Sequence, residues 1–161
     1  RIRKRGKGMK KYIGTKMIEA GEMNRGDYNE YRGWTAPADE NPEDEGYLVR
    51  YSDGYESWSP KKQFEEAYRE CNCMTFGIAL ELLKKGFRVA REGWNGKGMF
   101  LLYVPSEKWG IINKISLGIP IGNLLPWIGM KTADDKFVPW LASQTDMLAE
   151  DWTIVEEREE N

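Results

Sequence analysis

A glycine-rich loop that carries a tryptophan is the first feature of this sequence that could do chemistry. Residues 92–98 read EGWNGKG, and three glycines in six residues favour a tight backbone turn. Loops of this kind bind dinucleotides when a helix follows, but here an apolar run follows, so the motif is weak evidence for a dinucleotide fold. Because a glycine loop offers little core in which to bury a ring, we expect Trp94 to be a ligand platform.

Residues suited to catalysis are sparse. Histidine is absent, which removes the commonest general base and a common metal ligand. Cys71 and Cys73 are one residue apart, which fits neither zinc spacing nor an easily closed disulfide, so we predict free thiols. In a hydrolase or lyase, Asp146 with Glu150 or Asp151 would supply the carboxylates and a lysine or tyrosine the acid, but no motif singles them out. An enzyme is therefore less favoured without being excluded, and we predict no cofactor and no metal.

Hydrophobic spacing predicts the elements on either side of the loop. Thr75 is a good N-cap and Gly86 lies where a left-handed C-cap belongs, so a helix is predicted between them. Residues 87–91 alternate as a half-buried strand does, and the apolar run 99–104 predicts a central strand. The predicted apolar face of the helix consists of Phe76, Ala79, Leu80 and Leu83.

The remainder of this second domain is predicted to complete an antiparallel sheet. In chain order we expect a hairpin, a polar loop, a short helical turn and a closing strand, at residues 125–140, 141–146, 147–150 and 152–155. Glycines and a proline within 106–125 argue against a long helix there. The domain, residues 74–156, is therefore predicted to be α+β, with one long helix against an antiparallel sheet.

Residues 9–70 are interpreted as a separate small module, bounded by the charged segment 69–73. Asp53-Gly54 predicts a hairpin turn, and Ser59-Pro60 predicts a helix with proline at its first position. Other predictions are a strand at 11–18, turns at 24–29 and 36–45, and a helix face of Phe64, Ala67 and Tyr68. The clustered aromatic residues are expected mainly to pack this module, with a binding face as the alternative.

Charge is unevenly distributed along the chain. Seven of the first eleven residues are Lys or Arg and none is acidic, whereas the other 17 of the 24 basic residues are outnumbered by 26 acidic ones. Residues 1–8 are therefore predicted to be a disordered basic arm; contact with nucleic acid is the less favoured alternative. No stretch approaches the roughly 18 apolar residues of a membrane span, and no secretory signal is recognisable, so we expect a cytosolic protein.

Two segments of the second domain carry a resemblance. MTFGIALELLKKGFRVAREGWNGKGMFL and LPWIGMKTADDKFVPWLASQTDMLAEDW resemble the phage Thoeris anti-defence family of the second type, over residues 74–156. The resemblance implies a sponge in the host bacterial cytoplasm that sequesters glycocyclic ADP-ribose, a signal made by TIR proteins, without cleaving it. It also implies a homo-oligomer, dimer or tetramer, and cyclic dinucleotides of CBASS systems as further ligands. The 9–70 module and residues 109–125 depart from a minimal family member.

The resemblance also implies which residues bind. It pairs the Gly-Trp-Asn loop with the Ser-Gln-Thr-Asp segment, which places binding on Trp94, Asn95, Gln144, Thr145 and Asp146. A cyclic nucleotide presents an adenine face, ribose hydroxyls and a pyrophosphate. Trp94 or Trp140 would then stack on the base, Asn95 and Asp146 would pair with polar edges, and Arg91, Lys97 and the amides of 96–98 would hold the pyrophosphate.

Each of these assignments has a structural alternative. Trp127, Trp140 and Trp152 are individually better suited to the core than to a ligand, and Asp146 is equally suited to capping the turn before Met147. Arg91 could pair with Glu92 or Glu150 at the surface, which would be worth under roughly 1 kcal/mol. Three function classes stay open: the sponge, an enzyme that degrades the signal, and an interaction module whose N-terminal domain binds a host protein or nucleic acid.

Overall fold

The computed structural model describes residues 11, 13–94, 96–108 and 124–156, and within them it shows four α-helices and two antiparallel sheets. This is the α+β arrangement predicted from the sequence. The chain divides into two compact units, unit 1 up to Tyr68 and unit 2 from Arg69. Among the described residues, none of the helices combines the length and apolar character needed to cross a membrane.

Unit 1 contains, among its described residues, a three-stranded sheet and two helices. Its elements are β1 (Glu19–Glu22), α1 (Arg25–Arg32), β2 (Gly46–Arg50), β3 (Glu56–Pro60) and α2 (Lys61–Ala67). The strand order is β1-β2-β3, and the predicted hairpin is confirmed as β2 and β3. Gly54 in its turn has a φ of 83°, a left-handed conformation that suits glycine.

Three predictions for unit 1 are wrong. The strand expected at 11–18 is found instead at β1. Residues 24–29, expected to be a turn, begin α1, because the side-chain oxygen of Asn24 accepts a hydrogen bond from the Asp27 N–H at 2.7 Å and so caps a helix. Pro60 ends β3 instead of opening the helix, since its backbone (φ −58°, ψ 144°) is extended.

Aromatic stacking and one arginine–carboxylate pair hold unit 1 together. Tyr47 stacks on Phe64 of α2 at 4.0 Å between ring centroids, and Phe64 stacks on Tyr68 at 4.9 Å. Two N–H groups of Arg25 donate to Glu40, which ties α1 to the segment before β2. The prediction that aromatic residues pack this module is therefore confirmed for these rings.

Unit 2 contains a five-stranded antiparallel sheet and two helices among its described residues. Its elements are α3 (Phe76–Lys84), β4 (Arg88–Arg91), β5 (Phe100–Val104), β6 (Trp127–Lys131), β7 (Phe137–Pro139), α4 (Gln144–Met147) and β8 (Trp152–Val155). The strand order is β7-β6-β5-β4-β8, which confirms the predicted hairpin as β6 and β7. The closing strand pairs with β4, so Arg91 lies opposite Trp152.

The long helix α3 is confirmed and packs against the sheet. Thr75 is extended before the helix, and Gly86 after it has a φ of 95°. Of the predicted apolar face, Ala79 and Leu83 are buried, but Leu82 is buried where Leu80 was expected. The core of the unit consists of Met74, Ala79, Leu82, Leu83, Val89, Leu101 and Trp152.

The last helix begins earlier than predicted. Residues 141–146 were expected to be a loop, but α4 begins at Gln144, because Ser143 and Asp146 form a reciprocal capping box. Cys71 and Cys73 are free and exposed, as predicted. Two further predictions concern residues outside the described ranges: the arm 1–8 and most of the glycine-rich stretch 106–125.

Replacing Leu83, which is fully buried on the inner face of α3, tests this core. We expect Leu83→Ala to lower the free energy of unfolding by about 2 to 4 kcal/mol, since it removes buried methyl groups and leaves a cavity. Denaturant unfolding of the full chain measures the effect. Leu125→Ala, at a position 75% exposed, is the control and should change stability by less than about 0.5 kcal/mol. Equal effects would contradict this packing.

Candidate ligand-binding site

Arg91, at the end of β4, lies between two aspartates. Its Nε and Nη2 donate to the two carboxylate oxygens of Asp151 at 2.8 and 3.3 Å, and its Nη1 donates to Asp146 Oδ1 at 2.9 Å. The Arg91 side chain is 19% exposed and that of Asp146 13%. The expected surface pair with Glu92 or Glu150 is therefore wrong. We call these three residues the clamp.

The sheet topology brings the clamp together. Asp151 immediately precedes β8, whose first residue pairs with Arg91 of β4. The Glu92 N–H donates to the Asp151 carbonyl at 3.1 Å, so the backbones meet at the same point. Asp146 arrives from α4, five residues before Asp151. Residues more than fifty positions apart in sequence thus meet at one end of two neighbouring strands.

Asp146 joins α4 to the glycine loop. Its Oδ2 accepts from the hydroxyl and the N–H of Ser143 at 2.6 and 3.2 Å, and its own N–H donates to Ser143 Oγ at 3.1 Å. Its Oδ1 accepts from Arg91 and, at 3.4 Å, from the indole N–H of Trp94. Asp146 therefore caps its helix, as one alternative proposed, and also holds the loop tryptophan.

The glycine loop is held at further points on its backbone. The Gly93 N–H donates to Asp151 Oδ2 at 3.0 Å, and Lys131 Nζ donates to the Gly98 carbonyl at 3.2 Å. Gly96 packs so closely that a Cβ there would lie 2.1 Å from Met99 Sδ. The loop is thus tied to β6 and to the turn before β8. Asn95 lies outside the described residues.

Trp94 belongs to a cluster of three tryptophans. Its ring lies edge-on to Trp152 and Trp140, at centroid distances of 5.6 and 6.3 Å, and those two rings are 6.1 Å apart. Trp152 is fully buried, as expected, while Trp94 and Trp140 are half-buried against the core. The expectation that the loop offers no core for Trp94 is therefore wrong, because Trp152 and Trp140 supply one.

Three of the predicted binding residues are exposed: Lys97, Gln144 and Thr145. Within the described residues, no hydrogen bond or ion pair engages the Lys97 side chain, so its charge faces solvent beside the loop. Thr145 Oγ1 lies 2.9 Å from Ser143 Oγ. Gln144 and Thr145 share α4 with Asp146, which links them to the tryptophan loop through the Asp146–Trp94 hydrogen bond.

The clamp keeps its carboxylates ionised. Burial alone would raise the pKa of Asp146, but hydrogen bonds from Ser143, Arg91 and Trp94 together hold that pKa below its ordinary value. Hydrogen bonding from Arg91 lowers the pKa of Asp151 against a smaller effect of burial, and the Gly93 N–H lowers it further. Both carboxylates in turn raise the pKa of Arg91. The site thus holds two anions neutralised in part by one cation.

Two residues of this arrangement were not among the predicted ligand contacts. Asp151 was considered only as a carboxylate of the enzyme alternative, and Ser143 only as part of a loop. The Ser-x-x-Asp spacing of a capping box is a signal that could have found Ser143 and α4. No comparable local signal marks Asp151, because its partners come from a distant strand. Among the described residues, no group of histidine, cysteine or carboxylate side chains could hold a metal ion.

These observations define a small α+β domain whose glycine loop presents a tryptophan held by a charged clamp. Residues 74–155 match the family model of the Thoeris anti-defense 2-like domain, and the chain belongs to this family. A similar protein, Thoeris anti-defense 2 of Bacillus phage SP01, is 47% identical over 89 residues, which cover 51% of this chain and 94% of the relative. The resemblance is thereby confirmed, and family membership supports a phage anti-defence role.

The lowered carboxylate pKa values predict a dependence of stability on pH. A carboxylate whose pKa is lower in the folded state stabilises the fold above its unfolded pKa of about 3.9, and this contribution is lost as pH falls through the folded pKa. We therefore expect Asp146→Asn to be less stable than wild type at pH 7 and the difference to shrink below about pH 4. Denaturant unfolding from pH 7 to pH 3 measures this; a constant difference would contradict it.

Removing the cation of the clamp should destabilise the unit. Arg91→Ala leaves two partly buried carboxylates without their cation and without three of their hydrogen bonds, and we expect a loss of about 1 to 3 kcal/mol in the free energy of unfolding. Lys84→Ala is a matched control, because it also removes a cation 2.8 Å from a carboxylate, but at a half-exposed position. Little change is expected there. Equal losses in the two variants would show that the clamp adds no stability beyond a surface pair.

Proposed function

We propose that the chain binds and sequesters cyclic nucleotide immune signals without cleaving them, and so blocks activation of Thoeris effectors and, through cyclic dinucleotides, of CBASS effectors. Glycocyclic ADP-ribose is the proposed principal ligand. The proposal rests on the glycine loop, whose Gly93 N–H and Trp94 indole N–H are hydrogen-bonded to Asp151 and Asp146. This loop carries both Trp94 and the exposed Lys97, and it lies in the domain that matches the family. A loop that is ordered before binding loses less entropy when the ligand arrives.

The proposed ligand contacts use ring surface, charge and polar groups of the predicted binding residues. Trp94 or Trp140 stacks on the adenine with the ring surface that the core leaves exposed, and Lys97 with the amides of 96–98 meets the pyrophosphate. Gln144 and Thr145 offer polar groups for the ribose hydroxyls. Asn95 completes this proposed set.

Arg91 and Asp146 are committed first to the clamp. A guanidinium has five N–H donors, and three of those of Arg91 are used by the aspartates, which leaves two for a ligand. Both oxygens of Asp146 already accept hydrogen bonds. A ligand contact by either residue would therefore add to an existing network and not replace it.

The electrostatics of the clamp argue against the enzyme alternative. In that alternative Asp146 and Asp151 would act as bases while a lysine or tyrosine is the acid, and a carboxyl pKa held below its ordinary value makes a weaker base. Both carboxylates are also turned toward Arg91 and not left free to attack or to activate water. Binding without turnover is the chemistry that this arrangement favours.

An open cleft in unit 1 is a poor alternative site for an anionic nucleotide. Four carboxylates line it, and its one lysine, Lys61, is already paired with Glu45 at 2.9 Å. The carboxylates are Glu22, Asp27, Glu43 and Glu45. Like charge would repel the pyrophosphate there, so unit 2 is the better candidate.

A homo-oligomer, dimer or tetramer, acting in the host bacterial cytoplasm completes the proposal. Each subunit offers few cations to a ligand that carries a pyrophosphate, so a pocket shared between subunits would suit the ligand better. Leu141 and Leu148, on either side of α4, are 91% and 79% exposed, so a second subunit could cover them.

Calorimetric titration with glycocyclic ADP-ribose and cyclic di-AMP, followed by chromatography of the heat-released ligand, tests this function. We expect tight binding of glycocyclic ADP-ribose and recovery of the intact compound. Recovery of a cleaved product would establish the enzyme alternative, and absence of binding by both compounds would overturn the sponge.

Replacing Trp94 tests where the ligand binds. We expect Trp94→Ala to weaken binding by about 1 to 3 kcal/mol, the usual worth of stacking on one base. Trp127→Ala is the control, since Trp127 is also half-buried but packs against Phe137 on the β6–β7 hairpin. The same titration measures both variants, and a thermal melt of each confirms folding. Equal affinity of Trp94→Ala and wild type would move the site elsewhere.

A further inference from the structure

One carboxylate supports the loop from beneath without belonging to the proposed contacts. Asp151 Oδ2 accepts from the Gly93 N–H at 3.0 Å and from Arg91 Nη2 at 3.3 Å, while its Oδ1 accepts from Arg91 Nε at 2.8 Å. Its backbone carbonyl accepts from the Glu92 N–H. The N–H groups of the two residues that precede Trp94 therefore both donate to this one residue.

We propose that Asp151 is a positioning residue for nucleotide binding: it sets the direction in which the loop presents Trp94, and it orients Arg91, without touching the ligand. This inference rests on the proposed function, because Asp151 would position the loop of the same ligand site. The Gly93 amide lies one residue before the tryptophan, so its orientation fixes the backbone from which the indole projects.

The fit between Gly93 and Asp151 supports this role. A Cβ at Gly93 would lie 2.9 Å from Asp151 Oδ2, closer than real Cβ contacts come, so glycine is what lets the carboxylate reach the N–H. This contact explains why the position is occupied by glycine. A side chain at residue 93 would push the Asp151 carboxylate away but would leave the number of charges in the clamp unchanged.

Loss of a positioning residue should reduce ligand affinity more than stability, whereas loss of a purely structural residue should reduce stability. The Asp151 side chain is 32% exposed, and Asp146 still pairs with Arg91 when Asp151 is neutral, so the fold keeps its core and half of its clamp. The loop, however, keeps the Glu92 hydrogen bond to the Asp151 carbonyl but loses the charged acceptor of the Gly93 N–H, and an amide oxygen accepts more weakly than a carboxylate. Ligand affinity should therefore respond more strongly than stability does.

The test compares Asp151→Asn with two controls in the full-length chain. We expect glycocyclic ADP-ribose to bind on the order of tenfold more weakly, the size of effect that residues without ligand contact produce. Amide hydrogen exchange at Gly93, measured by NMR without ligand, should become faster. Glu150→Gln removes a neighbouring exposed charge, and Ala79→Gly weakens the buried helix away from the loop; both should keep wild-type affinity.

Gly93→Ala keeps all charges and should also weaken binding. Gly77→Ala, whose Cβ would meet only Thr75 Oγ1 at 3.9 Å outside the helix backbone, should keep wild-type affinity. Wild-type affinity in Asp151→Asn together with faster exchange at Gly93 would overturn the positioning role. Equal losses of affinity in Ala79→Gly would overturn it too, since stability alone would then explain the effect. Failure of the wild type to bind would instead overturn the proposed function, and unchanged Gly93 exchange in Asp151→Asn would separately refute the anchor.

Discussion

The pairing of Arg91 with two aspartates is the interaction on which the candidate site depends. Taking three charged groups partly out of water costs free energy, and the cost is offset only when each charge meets a partner in good geometry. Here the guanidinium meets one carboxylate with two N–H groups and the other with one. Because the three residues come from β4, α4 and the turn before β8, satisfying their charges also fixes how these elements meet.

The tryptophan cluster and the clamp constrain the same loop from two sides. Trp94 packs edge-on against Trp152 and Trp140, and its indole N–H reaches Asp146. Its ring is therefore partly a core residue and only partly a surface for a ligand. This dual role explains how a loop rich in glycine can be rigid: side-chain packing and carboxylate contacts supply the order that the glycines themselves do not.

Local signals in the sequence were enough to predict most of unit 2. The capped helix, the hairpin and the closing strand each depend on residues close together in the chain, and each is present. The errors in unit 1 have local causes that were misread: Asn24 opens a helix and not a turn, and Pro60 ends a strand. The start of α4 was missed although Ser143 and Asp146 carry its capping signal.

The clamp could not be predicted in the same way. Its partners are 55 and 60 residues from Arg91, and they meet only because β8 pairs with β4 and not with its neighbour in sequence. Glu92, adjacent in sequence, and Glu150, next to Asp151, were alternatives of equal charge. Which carboxylate an arginine meets is decided by strand order, and strand order follows from how the whole sheet packs against α3. The packing of Trp94 against Trp140 and Trp152 also depends on strand order, so it could not be predicted from local sequence.

We propose that the clamped loop and α4 form one ligand site. An amide and indole NMR titration of the ¹⁵N-labelled chain with glycocyclic ADP-ribose tests this proposal. We expect the largest shifts on residues 92–98, including the Trp94 indole N–H, and on residues 143–146. Shifts confined to unit 1, or no shifts at all, would contradict it.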